Sequence, residues 1–189
     1  MNRILVSLRL GAVFVSMAIN AYCAVTISDV TGPSRVVRGS VAEYVIDIEI
    51  TENQAASDSH FSWLLVDVPE GWTFHSSDYE GAIGGYPISG IGTLIDPPHY
   101  SYCDDWPTTP GTERIWIESE IFQSHVGDGQ VTARAGFNVG ESVGEHLIAF
   151  RLEAEQGPDT ACSEVWYADV RVTDPLPAPR RASGRRIPR

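Results

Sequence analysis

The chain has 189 residues, 43% of them hydrophobic, and carries a formal net charge of −12. That length suits one ordinary domain once the two ends are set aside, and the apolar content is enough for one core. All 25 acidic residues lie between Asp29 and Asp174, where only six Arg accompany them, leaving −19 on that region. A body this acidic repels nucleic acid and anionic lipid, so neither is expected as a partner.

The N-terminus, MNRILVSLRLGAVFVSMAINAYCAV, places Arg3 and Arg9 ahead of an apolar run from Leu10 to Ile19 and then small residues around Ala21, Cys23 and Ala24. This predicts a secretory signal peptide over residues 1–23. The apolar run is about half the ~20 residues of a spanning helix, so no membrane span is expected. Cys23 raises the alternative of a lipidated N-terminus, but Tyr22 stands where a lipobox has a small residue, and plain cleavage is the preferred reading. The expected site of action is therefore secreted or cell-surface.

Residues 24–174 read as the folded domain. Val25 to Val30 predicts a first strand, ended by Gly32-Pro33. Within Val41 to Thr51, Tyr44, Ile46, Ile48 and Ile50 alternate with Glu43, Asp47, Glu49 and Thr51, the pattern of a strand with one wet face. Phe61 to Val68 is apolar on both faces and predicts a central strand, stopped by Pro69-Glu70-Gly71-Trp72. From Ser76 to Gly111, Gly and Pro break the apolar pieces apart, and one long irregular loop is expected. Strands resume at Arg114 to Phe122, Gly129 to Val139, Glu145 to Ala154 and Glu164 to Thr173. No segment has a capped 3.6-residue repeat, so the fold class is all-β, a two-sheet antiparallel sandwich of seven or eight strands. Residues 175–189, PLPAPRRASGRRIPR, carry five Arg and no acid. Their Pro content without apolar periodicity predicts a disordered tail.

The Arg38-Gly39-Ser40 turn, the strand YVIDIEI and the apolar strand ending in Val-Pro-Glu-Gly-Trp resemble bacterial extracellular immunoglobulin-like and fibronectin-like modules. GQVTARAGFNVGESVGEHLIAFRLEA is similar to the closing hairpins of cohesin-like sandwiches. This resemblance implies accessory or structural work outside the cell, with no catalytic residues to carry over.

Three kinds of candidate site emerge. Trp72, Tyr79, Tyr86, Tyr100, Tyr102 and Trp106 gather in or beside the Ser76–Gly111 region, where flat rings could grip a protein or stack on a polysaccharide. The competing expectation is that these rings fold over one end of the sandwich as a satellite core, and Trp63, Trp116 and Trp166 are assigned to packing. Asp104 and Asp105, with Asp96 and Glu113 nearby, hold oxygen ligands that calcium would need, but no alternating acidic loop is present and solvated carboxylates are expected instead. Glu118 and Glu120 share one face of a strand about 7 Å apart, a spacing a glycosidase can use and exposed edge residues also produce.

There is no GxSxG, HExxH, Walker or dinucleotide motif, and His60, His75, His99, His125 and His146 are scattered. No enzyme, metal or cofactor is predicted. With Cys23 removed, Cys103 and Cys162 form an even pair and are expected to make one disulfide. The leading function is a non-catalytic adhesion or recognition module for an extracellular protein or surface. Carbohydrate binding is the alternative, and a glycoside hydrolase-like activity at Glu118 and Glu120 the third.

Overall fold

The computed structural model describes residues 24–51, 62–95, 111–119, 127–156 and 159–176. Their secondary structure is all strand: β1 (Ala24–Thr31), β2 (Arg35–Val37), β3 (Val41–Thr51), β4 (Ser62–Pro69), β5 (Thr73–Ile83), β6 (Tyr86–Ile91), β7 (Thr93–Leu94), β8 (Thr112–Ser119), β9 (Gly129–Asn138), β10 (Gly144–Gln156), β11 (Asp159–Cys162) and β12 (Trp166–Thr173). The expected signal peptide and most of the Arg-rich tail lie outside the described residues.

Two sheets form the predicted sandwich. One runs β1-β3-β9-β5-β6, the other β2-β12-β10-β4-β8-β7, with β11 added to β10. Neighbours pair antiparallel except β2, whose Arg35–Val37 run parallel to Arg171–Thr173. The alternation read in β3 holds: Tyr44, Ile46, Ile48 and Ile50 are buried, facing Val66, Ile148, Phe150 and Val170 in one core. The Tyr44 ring sits 5.3 Å from Phe150 and 6.3 Å from Phe137, both tilted. Each such side chain contributes about 1.5–3 kcal/mol through burial.

The long loop expected from Ser76 is corrected in its first half. Thr73–Ile83 is a full strand paired along β9, and it returns through Gly84-Gly85 into β6. Both turn glycines have positive φ, 57° and 82°, which a two-residue hairpin with left-handed central residues requires. Alternation is weak in this segment because Ser76, Ser77, Gly81 and Ala82 replace the β-branched residues that normally mark a strand.

Both lateral sides of the sandwich are laced by a chain that changes sheet at a glycine. Gly32 lies between β1 and β2, and a Cβ there would stand 2.2 Å from Cδ1 of Tyr44. Gly92 lies between β6 and β7, and a Cβ there would meet Ile117 Cγ2 at 2.5 Å and Ser77 Oγ at 2.6 Å. Only a residue without a side chain lets the backbone cross so close to the core.

Strand β4 is central, as expected, but its outward face is not purely apolar. Leu65, Trp116 and Ala149 form a second buried cluster with Ile95 and Val165 against it. Beside them Asp67, Arg151 and Glu153 are also buried. Asp67 is held by Arg114, whose Nε and Nη2 donate to its two oxygens at 2.8 and 3.1 Å.

Candidate interaction surface

The side of the sandwich closed by β6, β7 and β8 brings several candidate residues together. Strand β6 is the edge of the five-stranded sheet; Gly92 N donates to Ser77 O at 3.0 Å, and the chain then enters the other sheet as β7. Between the two sheets a notch of 370 Å³ is lined by Tyr79, Ser89, Gly90, Ile91, Glu118 and Ser119, among others. Tyr79 and Gly90 are directly opposed in the β5–β6 register, and the ring lies flat across the glycine: a Cβ on Gly90 would stand 2.3 Å from Tyr79 Oη. The glycine lets the ring fold over the edge strand, a cross-strand pair that stabilises an otherwise weak edge.

Along this side the exposed apolar groups are Tyr86 at 61%, Ile91 at 76% and Leu94 at 46%. They occupy the first and last positions of β6 and the end of β7; Ile91 borders the notch, and Tyr86 stands at the hairpin end of β6. Pro87 lies within β6, where a residue lacking an N–H is tolerated because the strand is an edge.

The aromatic platform inferred from the sequence is corrected in part. Trp72 is 1% exposed and belongs to the main core, and Tyr79 is 8% exposed. A ring buried on both faces cannot stack on a ligand, so these two serve packing. Tyr86 alone of the six is exposed among the described residues; Tyr100, Tyr102 and Trp106 lie outside them. Trp116 is buried and Trp166 packs against the main core, as their strand positions predicted.

Of the other candidates, Glu118 is half-buried in the notch, paired across strands with Trp63 and Thr93. Glu120 lies outside the described residues, as do Asp96, Asp104 and Asp105. Glu113 is exposed on β8, and among the described residues no group of three His, Cys, Asp or Glu is placed to hold a metal ion. His146 is half-buried, its Nε2 3.1 Å from the carbonyl oxygen of Ser142. Cys162 ends β11, and Cys103 lies outside the described residues. No helix among the described residues is long and apolar enough to cross a membrane.

Sequence reasoning missed the buried charges Asp67, Arg151 and Glu153 and the half-buried Arg114 that pairs with the first. The signal was present, since each interrupts an apolar strand: LLVDVP, ERIWIE and AFRLEA.

Electrostatically, the outward face of the five-stranded sheet carries an ordered ion-pair cluster. Arg134 on β9 is clamped by Asp78 and Glu80 on β5, at 2.8 and 2.6 Å. Its guanidinium is held protonated well above the ordinary arginine range, first by the hydrogen bond to Glu80 and then by that to Asp78.

No family model matches the chain, and no curated protein matches it. Solved structures with a similar arrangement include a cohesin module from a Clostridium perfringens family 33 glycoside hydrolase, 14% identical, covering 79% of this chain and 99% of that one at a TM-score of 0.45. The full-length major pilin SpaD of Corynebacterium diphtheriae is 11% identical, covering 77% of this chain and 34% of that one at 0.46. A collagen-binding domain from a Staphylococcus aureus adhesin is 7% identical, covering 75% and 95% at 0.39. These neighbours are bacterial cohesin, pilin and adhesin domains.

Proposed function

We propose that this chain is a secreted or cell-surface recognition module that binds an extracellular protein without chemistry of its own. The observation that carries this reading is the exposure of Tyr86 and Ile91 on the edge strand β6, and of Leu94 on β7, in an otherwise acidic, well-packed sandwich. An exposed edge offers main-chain hydrogen bonds to an incoming strand, and alternate side chains beside it supply specificity. Aromatic and aliphatic groups next to a notch are the usual anchors of a protein interface. The predicted signal peptide and the Cys103–Cys162 bridge belong to the same reading, since both suit an oxidising compartment.

Carbohydrate binding is the second reading. It retains Tyr86, with Tyr100, Tyr102 and Trp106 as possible companions, but no longer Trp72 or Tyr79. The hydrolytic reading rests on Glu118 with Glu120 and has no further support.

Binding to immobilised extracellular matrix proteins and to a panel of polysaccharides, measured in parallel, separates these readings. Saturable protein binding that falls at least about tenfold in Tyr86→Ser with Ile91→Ser supports the proposal, a loss typical of interface anchors. Binding confined to polysaccharides selects the second reading. Release of sugars, abolished by Glu118→Gln, selects the third.

A further inference from the structure

The outward face of the five-stranded sheet is strongly acidic, and among the described residues no element packs against it. Its side chains follow from register. Asp29 opposes Asp47, Asp47 opposes Thr132, and Thr132 opposes Glu80, which places three carboxylates in one row across four strands. Glu49 flanks that row two residues along β3, Asp78 lies beside it opposite Arg134, and Glu43 stands further along. Six carboxylates against Arg134 leave −5 on one sheet face. Like charges directly opposed across strands are destabilising, so this arrangement calls for a compensating partner.

The local partners are few. Thr132 Oγ1 donates to Asp47 at 2.7 Å and Thr31 Oγ1 to Asp29 at 3.1 Å. Among the described residues neither Glu43 nor Glu49 makes an ion pair. A depression of 480 Å³ opens beside Asp47, Glu49, Glu80 and Thr132. Arg134 shows how this face takes a guanidinium, between two carboxylates of β5.

The complementary charge is in the same chain. After Asp174 the sequence carries Arg180, Arg181, Arg185, Arg186 and Arg189 and no acid, so +5 answers −5. The exit point is fixed: Arg38 N donates to Thr173 O at 3.0 Å, and the Arg38 guanidinium pairs with Asp174 at 3.0 Å. Gly39 N reaches Val139 O at 3.0 Å, which puts this exit at the end of the sandwich where β3 begins and β9 ends. Packed sheets lie about 10 Å apart. At about 3.3 Å per residue, the stretch to Arg180 spans about 20 Å and that to Arg189 about 50 Å. The first distance rounds the end of the sandwich, and the remainder matches the length of β3 from Glu43 past Glu49.

We infer that the outward face of the five-stranded sheet is a docking surface for an extended arginine-rich segment, and that its occupant is the Arg180–Arg189 segment of this same chain. This is independent of the role assigned to β6, which lies at the sheet's edge. Arg side chains fit a row of paired carboxylates through their fork of donors, better than a point charge would.

Limited trypsin digestion of the full chain tests it. Cleavage after Arg180, Arg181 and Arg185 is expected to be at least about fivefold slower at low salt in the native chain than in Asp47→Asn/Glu49→Gln/Glu80→Gln. The difference should vanish near 1 M salt, where screening acts within about 3 Å. Should the triple variant lose thermal stability, Glu43→Gln/Glu49→Gln provides the test, because both side chains are exposed and unpaired; a smaller slowing lost in that variant supports the docking. Equal cleavage in all variants overturns the proposal. Protection that rises with protein concentration also overturns it, since the occupant would then be a second copy.

Discussion

The Asp67 carboxylate, with no exposed side-chain surface, accepts two hydrogen bonds from the Arg114 guanidinium directly across the β4–β8 ladder. This pair stands on the outward face of the seven-stranded sheet, beside the buried Trp116 cluster. Around Asp67 this face is covered rather than solvated, while Leu147, Tyr167 and Arg171 toward β12 remain exposed. The five-stranded sheet keeps the opposite arrangement, with its charged face open.

Breaking that pair should be costly. Arg114→Met leaves the Asp67 carboxylate buried without its fork of donors and should destabilise the chain by about 3–5 kcal/mol, while Arg114→Met combined with Asp67→Leu should recover most of the loss. Urea unfolding of the three proteins measures both steps. A single variant as stable as the native chain would refute the assigned role of the pair.

Tyr44 gives a prediction of opposite sign. Its ring is core, but its hydroxyl is buried without a hydrogen-bond partner among the described residues. Tyr44→Phe removes that unpaired group and should leave stability unchanged or raise it by about 1–3 kcal/mol. Burial also pushes the phenol well above its ordinary value of 10.0. The folded chain therefore keeps this proton where the unfolded chain releases it. The stabilisation from Tyr44 is fully present below pH 10 and declines as pH rises from there toward the raised folded value. The alkaline loss of stability, followed by denaturant titration between pH 9 and 11.5, should be shallower in Tyr44→Phe.

Gly90→Ala tests the edge of the interaction surface. The new methyl has nowhere to go but into the Tyr79 ring, so an overpacking cost of about 1–3 kcal/mol is expected, together with faster amide exchange in β6. Unchanged exchange along Tyr86–Ile91 would show that the ring does not brace this strand.

Cys103 and Cys162 are proposed to be bridged. A non-reducing peptide map of the secreted protein should join their two peptides, and reduction should cost on the order of 4 kcal/mol for a loop of about 60 residues. Separate peptides bearing free thiols would contradict the bridge.

Particular residues explain how far the sequence could be read. The alternation of Tyr44, Ile46, Ile48 and Ile50 gave β3 its boundaries, Val41 to Thr51, and its buried face, because one side is core and the other water. The double apolar face of LLV in β4 correctly announced a central strand. Strand β5 was hidden because its pairing with β9 is made by small residues, whose backbone hydrogen bonds leave no mark on hydropathy. Gly32 read as a turn and Gly92 as part of the long irregular loop, but that each carries the chain from one sheet to the other depends on Tyr44 and Ile117, which are distant in sequence. The candidate site suffered most: Trp72 and Tyr86 are both aromatics beside turns, and only tertiary packing buries the first and exposes the second.

The most direct test of the recognition reading is amide exchange on the chain bound to its protein ligand. Slowed exchange over Tyr86–Ile91, with the interior strands β9 and β10 unaffected, is the predicted result. Protection elsewhere, with β6 exchanging as in the free chain, would contradict the account.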